Sequence, residues 1–444
     1  MSVQKSEENE TMIGDPQYVT CRYIKDIPHF PVGGAPNAQV ADGRVIQPMR
    51  DVPVFHEADV VVVGGGPAGF AAAVASARTG AKTALVERYG SLGGLFTNGL
   101  VLIIVGSADG ERRGAQRLVT RGICEEFLKR CEGMGKAAYF TDDYHGPFQP
   151  TIDPEAAKVL MDRMVKAERN LDVFFHGWGV DAIMEGRKVR GVVFESKQGR
   201  QAILAKRVID CTGDGDVSFL AGADFRQITH NLGFVYQLGG LGRATAAQLQ
   251  AKEADGFPKV PNEPIPGAFW KNNLGPQANG LSVRELTAAE FLHRENAWNL
   301  VERMRATPGF EESYIMNTCS QVGVRASRLI KTDHVLDMSE TDVRKTFDDA
   351  IGMSGDDEFL PRGAFQIPYR SLLPSGVDNL LVAGRSIGVS PNVIDRVRLI
   401  PVCMVTGQAA GTAAAMSVLR DVTPRDLDAT ALRRRLEADG VFIA

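Results

Sequence analysis

The stretch VVVVGGGPAGFAAAVASARTGAKTALVE, residues 60–87, decides how this chain folds. Its opening Val60-Val61-Val62-Val63 is a short unbroken β-branched run, which predicts a strand buried on both faces of a parallel sheet. Phe70 to Arg78 is almost entirely strong helix former and stops before Gly80, a natural C-cap position. Thr83-Ala84-Leu85-Val86 predicts a second strand ending in Glu87, completing one β-α-β unit of about 30 residues. Between strand and helix lies Gly64-x-Gly66-x-x-Gly69, with Pro67 and Ala68 inside it. The first glycine allows the tight turn, the second lets backbone approach a pyrophosphate, and the third permits close helix–strand packing. The helix N-terminus offers free N–H groups and the positive end of its dipole to phosphates. Glu87 stands where a carboxylate accepts the hydroxyls of a ribose. These parts in this order predict a dinucleotide site; a merely glycine-rich turn leaves Glu87 unexplained.

Soon after Glu87, the second glycine-rich loop Ser91-Leu92-Gly93-Gly94-Leu95-Phe96-Thr97-Asn98-Gly99 lets backbone lie against a long cofactor continuing past its pyrophosphate. Asp153 suits a helix N-cap and Pro154 the first helical position, and Ala157, Leu160, Met164 and Val165 follow at helical spacing. Val173-Phe174-Phe175 comes next. Three runs, Val180 to Met184, Val189 to Phe194 and Ala202 to Leu204, are separated by the turn signals Glu185-Gly186-Arg187 and Gln198-Gly199 and predict a three-stranded meander. A further strand, Arg207 to Asp210, runs into Cys211-Thr212-Gly213-Asp214-Gly215-Asp216. A meander in place of a helix-bearing crossover, with the second glycine-rich loop, favours FAD over NAD. A plain strand-to-helix turn is the bland reading of residues 211–216.

Residues 226–360 lose the parallel-sheet pattern. They contain a polar, Pro-rich stretch from Gly256 to Gly280, with helical segments expected near 282–305 and 321–350. The earlier pattern returns with a strand at Asn379 to Ala383, a turn at Gly384-Arg385 and an Ala/Gly-rich helix from Val402 to Val418. The fold class expected is α/β: a Rossmann-like FAD-binding domain, with a parallel sheet plus three-stranded β-meander, and an inserted α+β substrate domain. Residues 1–55, rich in Pro and Gly and without clear period, read as an N-terminal arm. The FAD-binding domain takes 56–225 and, as a return segment with the C-terminal helix, 361–444. The substrate domain takes 226–360.

Composition narrows the function. Of 444 residues, 44% are hydrophobic and 23% charged, as in ordinary soluble globular proteins. A net charge of −4 gives no basic footprint for nucleic acid and no polybasic membrane patch. Apolar runs of about 20 residues are all broken by glycine, so no membrane span is expected. The six cysteines form no C-x-x-C pair, and the histidines no ligand spacing, so neither zinc nor a redox disulfide is expected. The polar N-terminus lacks the apolar core of a signal peptide, which points to the cytoplasm.

The segments DVVVVGGGPAGFAAAVASARTGAKTALVERYGSLGGLFTNGL, VIDCTGDGDVSFLAGA, SQVGVRASRLI, FQIPYRSLLPSGVDNLLVAGRSIGVS and RLIPVCMVTGQAAGTAAA span about residues 58–418. In kind and order they resemble the FAD-dependent oxidoreductases of the glutathione-reductase superfamily, within it the group at times mislabelled as xanthan lyases. The resemblance implies that Gly64, Gly66 and Gly69, with Pro67 and Ala68, cradle the pyrophosphate, and that Glu87 with Arg88 meets the adenosine ribose. It implies that Gly93, Gly94, Leu95 and Thr97 follow the ribityl chain, and that Val180 contacts adenine through its backbone. Thr212, Gly213 and Asp214 match the second cofactor-contacting turn, and Gly384 and Arg385 a third. The helix around Val402 to Gly407 would aim its N-terminus at the flavin's pyrimidine carbonyls. Relatives commonly carry a histidine a few residues after Gly-Arg; here that position is Pro391.

Flavin chemistry needs an acid or base near the reacting carbon and a charge that fixes the substrate. His230 is the histidine candidate, against a structural or surface role. Arg396 and Arg398 precede the flavin-facing helix and suit a substrate carboxylate or carbonyl oxygen, with Arg398 equally suited to the cofactor. Tyr236 and Asp395 are weaker candidates. The expected function is hydride transfer between a small organic substrate and flavin N5, with oxygen, a quinone or another acceptor as electron partner. A flavin monooxygenase or halogenase is the near alternative. From other classes come an RNA-modifying enzyme and a non-catalytic flavin-binding protein. Nucleic acid and membrane are not expected as partners; a homo-oligomer stays open.

Overall fold

A computed structural model describes residues 38–109, 117–135, 138–139, 150–258, 267–355 and 363–444. The chain divides into a first unit ending at Pro53 and a second, Val54–Ala444. In the first, Gln39–Ala41 pairs antiparallel with Arg44–Ile46 across Asp42-Gly43. Both turn residues have positive φ, 50° and 71°, the backbone that a two-residue hairpin matched to strand twist demands. The segment read as an arm without clear period thus contains a short hairpin. The Asp-Gly pair was the signal.

The second unit is mixed α/β around a central mixed sheet. Its first strands are β1 (Val54–Val63), β2 (Thr83–Glu87) and β3 (Leu171–Phe175), with α1 (Pro67–Thr79) and α2 (Pro154–Ala167) between them. β4 (Trp178–Glu185), β5 (Lys188–Ser196) and β6 (Gly199–Asp210) follow as the antiparallel meander. The spatial order is β4-β5-β6-β1-β2-β3, with β1 parallel to β2 and β6, and β2 parallel to β3. The runs Ala202–Leu204 and Arg207–Asp210 are not two strands but one, because Ala205-Lys206 between them holds no turn residue. The first half of β6 closes the meander on β5; its last residues pair in parallel with β10 (Leu380–Val382).

A second, antiparallel sheet has the order β8-β7-β9, from β7 (His230–Gly239), β8 (Phe269–Ala278) and β9 (Tyr314–Thr318). The helix α3 (Val283–Arg305) lays Ala297, Leu300, Val301 and Met304 into a common core with Leu232, Phe234 and Leu238. β8 lies inside the stretch read only as polar and Pro-rich. Pro276 is tolerated because β8 is an edge strand and the proline falls where the register slips opposite Leu232. The helix expected near 321–350 is also corrected. That span holds the short strand Arg328–Ile330 and the five-residue helix Met338–Asp342, joined by irregular backbone.

The last long helix, α4 (Ile400–Leu419), has the length and apolarity of a bilayer span, which the reading of glycine-broken runs did not anticipate. Nearly all of it is buried inside the fold, most closely against α1. A Cβ at Gly407 would lie 2.0 Å from the Ala68 carbonyl oxygen, and one at Gly411 would lie 2.1 Å from that of Ala72. The two helices therefore touch backbone to backbone. Helix propensity alone makes Gly411→Ala a gain of about 1 kcal/mol. We expect instead a loss of about 1–3 kcal/mol, because the added methyl overpacks against a carbonyl. The urea midpoint decides the sign, and a more stable variant refutes the contact.

Candidate functional site

β1, β2, β6 and β10 are parallel, so their carboxyl ends meet at one edge of the central sheet, where open α/β sheets bind ligands. The turns leaving them line a cleft of about 1380 Å³, part of it open to solvent. At the first turn, Gly64 has φ +96°, and a Cβ there would lie 2.5 Å from the Cys211 carbonyl oxygen. Gly69 stands behind the turn, its Cβ position only 1.7 Å from the Gly64 carbonyl oxygen. Gly66 differs: a Cβ on it would meet nothing closer than Gly94 Cα at 4.0 Å. It faces the cleft with Pro67 and Ala68, at the start of α1, which no side chain caps.

Glu87 is 4% exposed and lines the cleft. Its Oε2 accepts the Gly65 N–H at 2.5 Å and its Oε1 the Tyr89 N–H at 2.8 Å, so it braces the turn it faces. Burial raises its pKa, and these bonds only partly offset that. The Arg88 guanidinium stacks on Tyr89 and Trp178, 4.8 and 5.1 Å from the ring centroids, and donates to Gln321 Oε1 at 2.8 Å. Gly94 and Leu95 line the cleft, and the Gly93 N–H donates to the Gly65 carbonyl at 2.8 Å. Gly93 and Thr97 lie behind the wall; the buried Thr97 hydroxyl donates to the Leu92 carbonyl at 2.6 Å. Gly179 rather than Val180 reaches the cleft.

After β6, the buried Asp210 accepts four hydrogen bonds, from the N–H and hydroxyl of Thr212 and of Ser218, at 2.7–3.1 Å. Thr212 and Asp216 line the cleft, while Gly213 and Asp214 sit behind Arg385. Asp214 Oδ1 accepts from Arg385 Nη1 at 2.8 Å and from the Ser327 hydroxyl at 2.5 Å. The Gly384 N–H donates to Thr406 Oγ1 at 3.1 Å, which ties this turn to α4. Ile400 and Cys403 bring the uncapped start of α4 to the cleft. Gly407, expected beside a cofactor, is one turn deeper and packs on Ala68 instead.

The candidate catalytic residues separate. Arg396 is fully buried away from the cleft, 4.3 Å over the Phe365 ring, and donates to the Gly363 carbonyl at 2.5 Å. It is a core residue, so the expected substrate clamp is corrected. Arg398 lines the cleft and donates to Asp395 Oδ1 at 2.7 Å. His230 Nε2 lies 3.3 Å from the same oxygen, and the ring borders a separate shallow depression beside Pro391. Sequence reading named His230, Asp395 and Arg398 separately; the fold joins them. It missed Gln321 and Arg325, both cleft-lining and both in or beside SQVGVRASRLI, a segment singled out only as a block. Among the described residues no cluster of His, Cys, Asp and Glu suits a metal ion.

A family model described as FAD dependent oxidoreductase matches residues 59–232 and 242–436. The chain belongs to this family. The family's description names FAD as cofactor and oxidoreductase as its class. The chain is also similar to thiamine thiazole synthase of Sulfolobus acidocaldarius, 30% identical over 193 residues. That match covers 39% of this chain and 63% of the synthase. It is 55% identical over 49 residues to dihydrolipoyl dehydrogenase of Trypanosoma brucei brucei, covering 11% of this chain and 10% of that enzyme. The chain thus spans less than two thirds of these curated relatives. Among solved structures, it is similar to a geranylgeranyl bacteriochlorophyll reductase-like protein of Thermoplasma acidophilum. The identity is 15% and the TM-score 0.43, with 86% of this chain and 83% of that one covered. To p-nitrophenol 4-monooxygenase of Pseudomonas putida it is 12% identical, TM-score 0.41, covering 86% and 84%.

Asp395 gives a pH test of the site. Burial raises its carboxyl, but Arg398 and His230 outweigh burial and hold the pKa below the ordinary value. The stabilisation is therefore present above the unfolded pKa, about 4, and is lost as pH falls through the folded value. The difference in Tm between wild type and Asp395→Asn is expected to be larger at neutral pH and to shrink below about pH 4. A difference that grows on acidification refutes the sign.

Proposed function

We propose that the cleft binds FAD along its length and that the enzyme transfers a hydride between the flavin and a small organic substrate. When bound, FAD supplies a hydride acceptor or donor at its N5 atom. One observation carries this reading. Gly66 keeps a side-chain-free opening at the uncapped start of α1, and the uncapped start of α4 reaches the same cleft. Both helix starts present backbone N–H groups and positive dipole ends to anionic or carbonyl oxygens. The donors and acceptors around them suit the rest of the cofactor. Glu87 and Arg88 would hold the ribose and adenine beside Trp178 and Gly179. Gly94 and Leu95 would follow the ribityl chain opposite Thr212, Gly384 and Arg385.

The substrate enters, in this reading, at the end of the cleft built by Gly233, Val235 and Asn272 of the second sheet. Arg398 presents its charge there, oriented by Asp395, and His230 exchanges protons with solvent through that carboxylate rather than touching the substrate. Gly384-Arg385 stands where monooxygenases and halogenases are expected to carry Gly-Asp, and Arg385 is engaged by Asp214.

Gly66→Val tests cofactor placement, because a Cβ there meets nothing closer than Gly94 Cα at 4.0 Å and Gly66 faces the cleft. The variant is expected to keep its fold by circular dichroism and to lose the flavin absorption at about 450 nm. A yellow, fully loaded variant overturns the placement. Anaerobic bleaching of that band by an alcohol or amine, or its return when an enoyl acid is added to the reduced protein, identifies the substrate class and the direction. Rapid bleaching by a reduced nicotinamide alone, followed by oxygen-dependent substrate oxygenation, would favour the monooxygenase reading instead.

A further inference from the structure

At the sheet end of the cleft the charges do not balance. Arg325 is half-buried and lines the cleft, yet no carboxylate or hydrogen-bond acceptor among the described residues engages its side chain. Its charged neighbours are Arg398, which repels it, and Asp395, which already holds Arg398 and His230. Two guanidinium groups thus share one carboxylate. Burial and the like charge of Arg398 lower the Arg325 pKa, but a guanidinium stays protonated at neutral pH. A desolvated cation without a partner is unfavourable, so the site is complementary to an anion.

The geometry narrows which anion. A methyl-sized probe at the Gly233 Cβ position would sit 3.9 Å from Arg325 Nε and 3.5 Å from Asn272 Oδ1. Both side chains therefore converge on the floor made by Gly233, and Asn272 Oδ1 is buried with no hydrogen-bond partner among the described residues. The Gly233 and Gly323 N–H groups are unavailable, because each donates to the other's carbonyl, at 3.0 and 2.6 Å. Phosphate needs several converging donors and finds no backbone nest here. A planar carboxylate needs only the two-pronged guanidinium, and Val235 and Val324 supply an apolar wall for the carbon skeleton.

We propose that Arg325 anchors the carboxylate of a small organic-acid substrate at the sheet end of the cleft. This rests on the reading of the cleft as a flavin enzyme's active site. It makes Arg325 a substrate-binding residue, with Arg398 adding to the local positive potential and Asn272 facing a polar group of the same substrate.

The test titrates the purified full-length protein with sodium benzoate, with benzamide as its neutral counterpart, and with inorganic phosphate. Two quantities are followed, the melting temperature and the flavin difference spectrum. Benzoate is expected to raise the melting temperature and to perturb the flavin band, with benzamide and phosphate much weaker. Arg325→Met is expected to weaken benzoate by about tenfold or more while FAD content stays at the wild-type level. Arg325→Lys keeps the charge but not the fork and should fall between them; it also carries the comparison if the methionine variant does not fold. Benzamide equal to benzoate, phosphate tighter than benzoate, or unchanged benzoate affinity in Arg325→Met overturns the proposal. So does a folded Arg325→Met that has lost FAD, because Arg325 then serves the cofactor. A protein that never takes up FAD sinks the flavin reading instead. In that case the melting shift still decides the anion site: a benzoate shift present in wild type and absent in Arg325→Met supports it, and its absence from both refutes it.

Discussion

The site depends on a place where no side chain fits. The Gly64 carbonyl fills the space beside Gly69, the Cys211 carbonyl fills the space beside Gly64, and the Ala68 carbonyl fills the space beside Gly407. Three segments, β1 with its turn, the end of β6 and the helix α4, thereby meet through backbone alone. This contact sets how closely α4 approaches α1, and so it brings two helix starts to one cleft. Close packing makes it unforgiving, since an interior at near-crystalline density has no slack for an added methyl.

Around that contact, polar groups are satisfied by neighbours distant in sequence. Asp210 gathers the donors of the turn after β6, Glu87 holds the turn after β1, and Asp214 holds Arg385 from behind with help from Ser327. Each is a buried or half-buried carboxylate whose desolvation is offset, for Glu87 only in part, by hydrogen bonds that brace the turns lining the cleft. The sheet end departs from this rule. There, among the described residues, Arg325 and Arg398 face the single carboxylate of Asp395, and this contrast is what supports the proposed placing of the substrate at that end.

The β-α-β unit at residues 60–87 was legible because its signals are local. Valine run, alanine-rich helix and glycine turn each follow from short-range sterics, and the structure differs only by a few residues at the ends of each element. The meander was legible for the same reason, apart from the continuity of β6. The helix expected near 321–350 was not there, because polar and β-branched residues in that span take their pairing from distant strands. Gly407 was expected beside the cofactor because the family resemblance places the start of this helix there. Only its neighbour across the fold reveals a packing role. Arg396 and Arg398, two residues apart, both read as candidate substrate clamps, yet one is buried over Phe365 and the other faces the cleft.

Sequence by itself determined the strand-turn-helix that opens the cleft and the dinucleotide character of its first turn, because glycine spacing and helix polarity act over one or two turns of chain. The tertiary structure decided which charges are paired and which are not. Arg325 carries no local mark of its role. Its meaning comes from a neighbouring carboxylate, Asp395, that is already taken by Arg398 and His230, and that depends on where elements far apart along the chain bring these groups. Pairing of charges is a property of distance in space, and distance in space is what the fold supplies.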